Sequence, residues 1–180
     1  DIREVTQHDL REKIGYIPQR SILFSGTINS NLRYADENAT EEALLEAAGT
    51  AQVRDFIEAS SEGLEAPISQ GGSNVSGGQK QRLSIARALV KKAPIYIFDD
   101  SFSALDFKTD AALRRALKET TANSVLLLIT QRVSTVMNAE QIVVLDNGQV
   151  AGIGTHRELM KSCETYREIA MSQLSMEELS

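Results

Sequence analysis

A chain of 180 residues, of which 42% are hydrophobic, is long enough to bury the core of one domain. Its net charge of −6 argues against a nucleic-acid partner, because the sequence has no basic stripe that could neutralise phosphates. The longest apolar stretch, Val125–Ile129, is far shorter than the roughly 20 residues of a membrane span, and nothing at the N-terminus resembles a signal peptide. We therefore expect any membrane part to lie upstream or on another chain.

The first part of the chain predicts one strand followed by helices. Residues 13–17 predict a strand that leads to Gln19. Residues 40–49 and 51–61 predict helices, and Thr40 begins the first of them as an N-cap followed by acidic residues in the first turn. A mostly helical insert is therefore expected after the first strand.

A pair of glycines opens the next predicted helix. Ser76 is suited to the N-cap position and precedes Gly77 and Gly78. Apolar residues then recur at helical spacing through residues 79–92, at Leu83, Ala86, Leu89 and Val90. The first amide groups of such a helix lack intrahelical partners, and glycine has no side chain to keep a phosphate away from them. The predicted ligand is an anion, and the alternative is an ordinary turn before a surface helix.

Two carboxylates follow the next predicted strand. Residues 95–98 are β-branched or aromatic, as expected for a strand buried on both faces. Asp99 and Asp100 come directly after it, where ligands gather in open α/β sheets, and such carboxylates suit Mg²⁺. The alternative is that they only cap the next helix, although Asp106 is better placed to cap a helix that begins near Phe107.

The remaining sequence predicts alternating helices and strands. The predicted elements are a helix at 106–120, a buried strand at 124–129, a strand at 141–146, and helices at 155–161 and 164–173. Between two apolar runs, Asn147 and Gly148 form the typical pair of a type I′ hairpin turn, so an antiparallel pair of strands is expected near the C-terminus.

Taken together, these motifs resemble those of ATP-binding-cassette (ABC) ATPases, over the whole chain and in the family's order. The resembling segments are the Q-loop at 16–19, the signature motif at 75–82, the Walker B strand at 95–99 and the D-loop at 103–106. Residues 23–28 and 154–159 resemble the exporter branch, which couples ATP to moving lipids, drugs or peptides across a membrane. The resemblance implies an α/β fold, a P-loop NTPase (RecA-like) ABC core with an inserted helical subdomain, truncated at the N-terminus.

The resemblance also implies a subdivision of the chain into three parts. Residues 1–180 would form one partial nucleotide-binding domain. Within it, residues 1–20 would supply a core strand and the Q-loop, residues 21–92 the helical subdomain with the signature helix, and residues 93–180 the ATPase core with Walker B, D-loop, switch loop and C-terminal helices.

Site residues are implied one by one by the matching motifs, with ATP and Mg²⁺ as cofactors. The nucleotide-binding residues would be Ser76, Gly77, Gly78, Gln79 and Asp106. Asp99 and Gln19 would contact the metal ion. The catalytic residues would be Asp100, Gln131 and Gln19.

One departure from the family pattern concerns the phosphate loop. The sequence contains no G-x-x-x-x-G-K-S/T stretch, the Walker A loop that cradles the β- and γ-phosphates. We expect that this loop and the adenine-stacking aromatic residue were left out of the chain. The chain by itself is then expected to bind ATP poorly and to be inactive, whereas the complete protein would hydrolyse ATP.

Two further departures concern the catalytic groups. Asp100 stands where the family usually has glutamate. Aspartate is one methylene shorter, so its carboxylate is withdrawn by roughly 1.5 Å. Misplacement of a catalytic group by about 1 Å can cost about a hundredfold in rate. Gln131 stands where the family usually has histidine, and its amide neither takes up nor releases a proton near neutral pH. Both departures resemble the degenerate half of heterodimeric ABC exporters.

The implied partners are a second nucleotide-binding domain and the coupling helices of a transmembrane domain, at the cytoplasmic face of the cell membrane. The signature of this chain, intact apart from Val75 where the family most often has leucine, would complete the partner's site. The departures at Asp100 and Gln131 favour a heterodimer over a homodimer. Residues 71–74 are a candidate transmission segment or a plain loop. Two alternatives stay open, namely a fully active homodimeric half-transporter and an ABC protein without a membrane domain.

Overall fold

The computed structural model describes residues 1–174 and divides the chain into two compact units, Asp1–Ile129 and a second that begins at Thr130. The strands are β1 (Ile14–Ile17), β2 (Gly26–Thr27), β3 (Pro67–Ile68), β4 (Ile95–Asp99), β5 (Val125–Ile129), β6 (Ile142–Asp146) and β7 (Gln149–Gly154). The helices are α1 (Gln7–Glu12), α2 (Ile28–Arg33), α3 (Glu41–Thr50), α4 (Arg54–Glu58), α5 (Gly77–Val90), α6 (Phe107–Thr120), α7 (Val133–Val136), α8 (His156–Ser162) and α9 (Glu164–Gln173). Short 3₁₀ turns lie at Gly63–Glu65 and Gln70–Gly72.

A parallel sheet of order β1-β4-β5 organises the first unit. Because parallel strands end at the same edge, the chain leaves the sheet at Ile17, Asp99 and Ile129 on one side. Gly15 fixes how closely β1 approaches its neighbours, since a Cβ there would lie 2.6 Å from the ring of Tyr96 and 3.3 Å from the carbonyl oxygen of Ala88. The predicted apolar positions of α5 are all buried, which confirms the helical interpretation of that segment.

The expected burial of the sheet is only half confirmed. On β4, Tyr96 and Phe98 are buried, but the alternate residues Ile95 and Ile97 are only partly covered. The prediction of a buried strand at 124–129 is wrong in its burial, because β5 exposes Val125, Leu127 and Ile129 by 64, 51 and 49%. Successive side chains of a strand point to opposite faces, and the helices of the first unit cover only one of them.

The predicted helix at 51–61 is also wrong in its extent, since only Arg54–Glu58 is helical. The amide of Val53 donates to the carbonyl of Ala48 at 2.9 Å, and Gln52 has a φ of 58°, in the left-handed region. The chain therefore reverses after α3 before the short helix begins. By contrast, α3 begins as predicted, with the Thr40 hydroxyl accepting from the amide of Ala43.

The second unit contains the predicted antiparallel pair β6 and β7. Asn147 and Gly148 have φ values of 48° and 76°, which confirms a turn with two left-handed residues. The hairpin and helices α7, α8 and α9 share a small core formed by Val133, Ile142, Val144, Leu159, Cys163, Tyr166, Ala170 and Leu174. Within residues 1–174, no helix combines the length and hydrophobicity of a membrane span.

Candidate functional site

The end of β4 gathers the polar residues that the sequence predicted for this position. Gln19 donates its Nε2 to Asp100 Oδ2 at 3.3 Å, and Tyr16 donates its hydroxyl to Asp99 Oδ2 at 3.1 Å. Ser101 Oγ connects the ends of β1 and β4 by donating to the carbonyl of Ile17 at 3.0 Å. The parallel pairing of β1 with β4 therefore brings Gln19 next to Asp99 and Asp100, although Gln19 precedes them by 80 or more residues in sequence.

Asp100 has an unusual backbone conformation. Its φ of 45° lies in the left-handed region, which aspartate and asparagine tolerate better than other non-glycine residues. Its amide donates to the carbonyl of Ile129 at 2.8 Å, and its own carbonyl accepts from Ser103 Oγ at 2.9 Å. Neighbouring segments on both sides therefore hold Asp100 in this conformation.

The cluster fits a hard cation that is completed by ligands from outside the protein. Asp99 offers a carboxylate oxygen beyond the one bonded to Tyr16, and Gln19 keeps its Oε1 out of the bond to Asp100. Residues 1–174 hold no group of three or more His, Cys, Asp or Glu side chains able to bind a metal by themselves. Mg²⁺ commonly binds through one or two carboxylates with waters and substrate phosphates, so these residues suit it.

Tyr16 contacts this cluster and was not predicted from the sequence as a candidate site residue. Its hydrogen bond to the carboxylate of Asp99 raises the pKa of its phenol above the ordinary value. In register Tyr16 is the partner of Ile97, which places it on the same sheet face as Asp99 two residues further along. The strand alternation could have indicated this neighbour once the pairing of β1 with β4 was known.

We expect Tyr16→Phe to raise the Mg²⁺ concentration needed for half-maximal ATP binding to the complete polypeptide by about tenfold, because loss of a group that orients a metal ligand typically costs about ten- to a hundredfold in metal affinity. Phenylalanine keeps the ring and removes only the hydroxyl that donates to Asp99. The measurement is a Mg²⁺ titration of nucleotide binding. An unchanged midpoint would show that the phenol does not orient Asp99 for the metal.

At the predicted anion site, Ser76 and Gln79 cap the start of α5. Ser76 Oγ accepts from the amide of Gln79 at 3.2 Å, and Gln79 Oε1 accepts from the amide of Ser76 at 2.8 Å. A Cβ at Gly77 would meet no atom within 4 Å, and one at Gly78 would lie 3.7 Å from the carbonyl oxygen of Ala104. The first turn is therefore rigidly capped and open to an approaching anion at Gly77.

Asp106 caps α6 in the way expected of a residue before Phe107. Its Oδ1 accepts from the amides of Lys108 and Thr109 at 3.1 and 3.0 Å, and its Oδ2 accepts from Thr109 Oγ1 at 2.7 Å. The hydroxyl of Thr109 is the main reason that the pKa of Asp106 lies below its ordinary value. Its predicted contact with nucleotide stays a prediction.

We expect the cap at Asp106 to be insensitive to pH across the neutral range and to weaken only in acid. Because folding lowers its pKa, the stability that the ionised group contributes is complete above the ordinary value of 3.8 and is lost as pH falls through the still lower folded value. Asp106→Asn keeps an acceptor for α6 without titrating. The unfolding temperatures of the two forms should therefore differ by a constant amount at neutral pH, and this difference should change only in acid. A change in the difference near pH 7 would contradict the assignment.

Gln131 belongs to the second unit, where its backbone is anchored. Its carbonyl accepts from Gln173 Nε2 at 2.7 Å, and Gln173 Oε1 accepts from the amide of Val133 at 3.0 Å. The side chain of Gln131 is exposed. Its predicted catalytic role stays a prediction.

A parallel sheet whose central strand ends in two carboxylates, next to a capped helix opened by glycines, defines an α/β nucleotide-binding core. Residues 1–103 match the sequence profile of the ABC transporter family. The chain belongs to this family and corresponds to its nucleotide-binding domain.

Individual relatives agree with the profile. An uncharacterised ABC transporter ATP-binding protein of Mycobacterium tuberculosis is 45% identical over 96% of the chain and 30% of its own length. The ATP-dependent lipid A-core flippase of Desulfotalea psychrophila is 42% identical over 89% of the chain and 28% of its own length. The solved structure of a bacterial Atm1-family ABC exporter with ATP bound superposes with a TM-score of 0.92 at 35% identity, over 97% of the chain and 31% of that structure. The chain thus spans about 30% of the length of these relatives.

Proposed function

We propose that this chain is the ATP-binding part of an ABC exporter and energises transport by nucleotide-driven association with a second nucleotide-binding domain. Two similar proteins support this function, namely a lipid A-core flippase and an Atm1-family exporter whose structure was solved with ATP bound. The observation that carries the proposal is a contrast between two sites. The first turn of α5 is capped and uncovered, whereas the acidic site at β4 carries Asp100, one methylene shorter than the glutamate that the resembling family usually has there.

The acidic site is proposed to hold ATP with Mg²⁺ and to hydrolyse it slowly. Bound Mg²⁺ would neutralise phosphate charge, with Asp99 and Gln19 as its protein ligands. Asp100 would have to accept a proton from the attacking water, and its carboxylate is one methylene short of the usual glutamate. Gln131 could donate a hydrogen bond to phosphate but could not exchange a proton near neutral pH.

The α5 N-terminus is proposed to act in the partner's site. Gly77 leaves the backbone open, and Ser76 and Gln79 hold the first turn in a fixed geometry. Amide groups at a helix start stabilise negative charge without reorganisation, which is the property a phosphate site requires. Nucleotide held by the partner would then be covered by this helix.

A surface for the transmembrane domain is proposed beside the loop after β1. Ile22, Phe24 and Tyr34 are exposed apolar residues there, and the rings of Phe24 and Tyr34 lie 4.7 Å apart. Such a surface suits the coupling helices of a transmembrane domain at the cytoplasmic face of the membrane. The segment 71–74, with Gly71 and Gly72 in the left-handed region, remains a candidate for transmitting motion.

One contact favours a second candidate, a fully active half of a homodimer. Gln19 reaches Asp100 Oδ2 at 3.3 Å, so the shorter carboxylate still contacts the Q-loop glutamine. In that case Asp100 and Gln131 would be competent substitutes for glutamate and histidine.

The two candidates differ in what the complete polypeptide does alone. It should be purified alone and with its co-expressed partner, and ATP binding and turnover should be measured for both. The proposed function expects binding in each preparation and brisk turnover only with the partner. Brisk turnover by the complete polypeptide alone would overturn it in favour of the homodimer.

A further inference from the structure

The loop between β1 and β2, residues 18–25, is joined to α5 by a hydrogen bond between side chains. Ser21 Oγ donates to Gln81 Oε1 at 2.7 Å across 60 residues of sequence. Gln81 is buried, with only 4% of the residue exposed. The Gln81 end of this contact is therefore shielded from water, which strengthens the hydrogen bond.

A second attachment joins the same loop to α5 further along the helix. Arg87 donates its Nη2 to the carbonyl of Ile22 at 3.0 Å, and its guanidinium lies 5.4 Å from the centre of the Phe24 ring. Burial lowers the pKa of Arg87, in keeping with a group enclosed by its surroundings. The two attachments are about 9 Å apart along the helix axis, so together they restrain its direction as well as its position.

Both attachments leave buried donors unused. Gln81 Nε2 and Arg87 Nη1 are buried, and neither has a hydrogen-bond acceptor among residues 1–174. Exchanging the amide nitrogen and oxygen of Gln81 would leave its Oε1 unpaired instead, so one amide atom lacks a partner in either orientation. Buried unpaired donors are costly, and a small shift of the loop against α5 that supplied acceptors would be favourable.

The attached loop and helix connect two distant functions. At its start the loop carries Gln19, which contacts Asp100, and α5 begins with the open turn at Gly77. A displacement of Gln19 by ligand in the acidic site would therefore pass through Ser21 and Gln81 to the helix that serves the partner.

We propose that Ser21, Gln81 and Arg87 are positioning residues that form a latch between the Gln19 loop and α5, so that nucleotide in the chain's own acidic site sets how α5 is presented to the partner's nucleotide. This inference rests on the proposed function, since it assigns α5 to the partner's site. The latch acts through α5 and does not touch nucleotide itself.

The test uses the complete polypeptide assembled with its partner and compares Ser21→Ala with Ser21→Thr. Own-site occupancy is followed by photolabelling with a photoreactive ATP analogue, and turnover by phosphate release. We expect Ser21→Ala to lower turnover about tenfold with labelling unchanged, a size typical of coupling between sites. Ser21→Thr keeps the hydroxyl and should restore turnover. Ser25→Ala is the matched control, because this serine lies in the same loop and makes no hydrogen bond among residues 1–174.

A double-mutant cycle adds a measurement that a general loss of stability would not reproduce. Because Ser21 and Gln81 share one bond, Ser21→Ala with Gln81→Met should lower turnover no more than the stronger single change. The latch would be overturned if the effects of the two substitutions on turnover multiplied in the double variant, or if Ser21→Ala left turnover unchanged. It would also be overturned if turnover fell only in proportion to the labelling of the chain's own site.

A failure of the proposed function gives a different result. Inactivating the catalytic base of the partner should abolish phosphate release if this chain's own site is slow. Release that persists in that variant would refute the proposed division of labour, whatever the Ser21 variants do. Abolished release combined with an unaffected Ser21→Ala would refute the latch alone.

Discussion

ATP turnover at the chain's own site is expected to rise about a hundredfold when Asp100→Glu and Gln131→His are combined in the complete polypeptide with its partner, because a misplacement of about 1 Å commonly costs this much. Glutamate would extend the base toward the attacking water, and histidine would add a group that can exchange a proton near neutral pH. The measurement is phosphate release with the partner's base inactivated, so that only this chain's site contributes.

The same double change is expected to reduce stability slightly. Asp100 has a φ of 45°, and glutamate adopts the left-handed region less readily than aspartate. The free energy of unfolding should fall by at most about 1 kcal/mol. Each single variant serves as a control, with Gln131→His predicted to leave stability unchanged because that side chain is exposed. Unchanged turnover in the folded double variant would show that neither residue limits this site.

Gly77→Val is expected to lower turnover at the partner's site by about a hundredfold, the size of the effect seen when a preorganised donor to developing charge is lost. A side chain at this position would obstruct the approach of a phosphate to the first turn of α5. No neighbouring segment of its own chain stands in the way, because a Cβ at Gly77 meets no atom within 4 Å. The fold should therefore survive the change.

Gly49→Val provides the matched control. Gly49 is also helical, and a Cβ there would meet only the side chain of Arg54, at 3.9 Å. Both variants should unfold at temperatures similar to the unaltered protein, while only Gly77→Val should lose turnover. Equal losses of turnover in the two variants would point to a general effect of valine in a helix and would remove the role assigned to Gly77.

Local signals in the sequence predicted the parts of the site that depend on neighbouring residues. Ser76 before two glycines predicted the start of α5, and Asp99 and Asp100 after an apolar run predicted the end of β4. Caps and strand ends are set by side chains within a few positions, so a single sequence contains the necessary information.

Contacts between distant segments were beyond the reach of that reasoning. Tyr16 meets Asp99 across 83 residues, and Ser21 meets Gln81 across 60. The exposure of Val125 depends on which face of the sheet is covered, and an uninterrupted apolar run carries no sign of that. The helix expected at 51–61 failed for a local reason, since Gln52 takes a left-handed conformation that its residue type does not predict.

The hydrogen bonds of Asp100 make this residue a junction between neighbouring chain segments. Its amide is tied to the end of β5 and its carbonyl to Ser103, while its carboxylate accepts from Gln19. A displacement of the Asp100 backbone would thus be passed to the end of β5 and to Ser103, while its carboxylate connects it to Gln19. Stiffness at this junction would convert a sub-ångström displacement at the phosphate into a concerted movement of the sheet edge and the segment leading to α6.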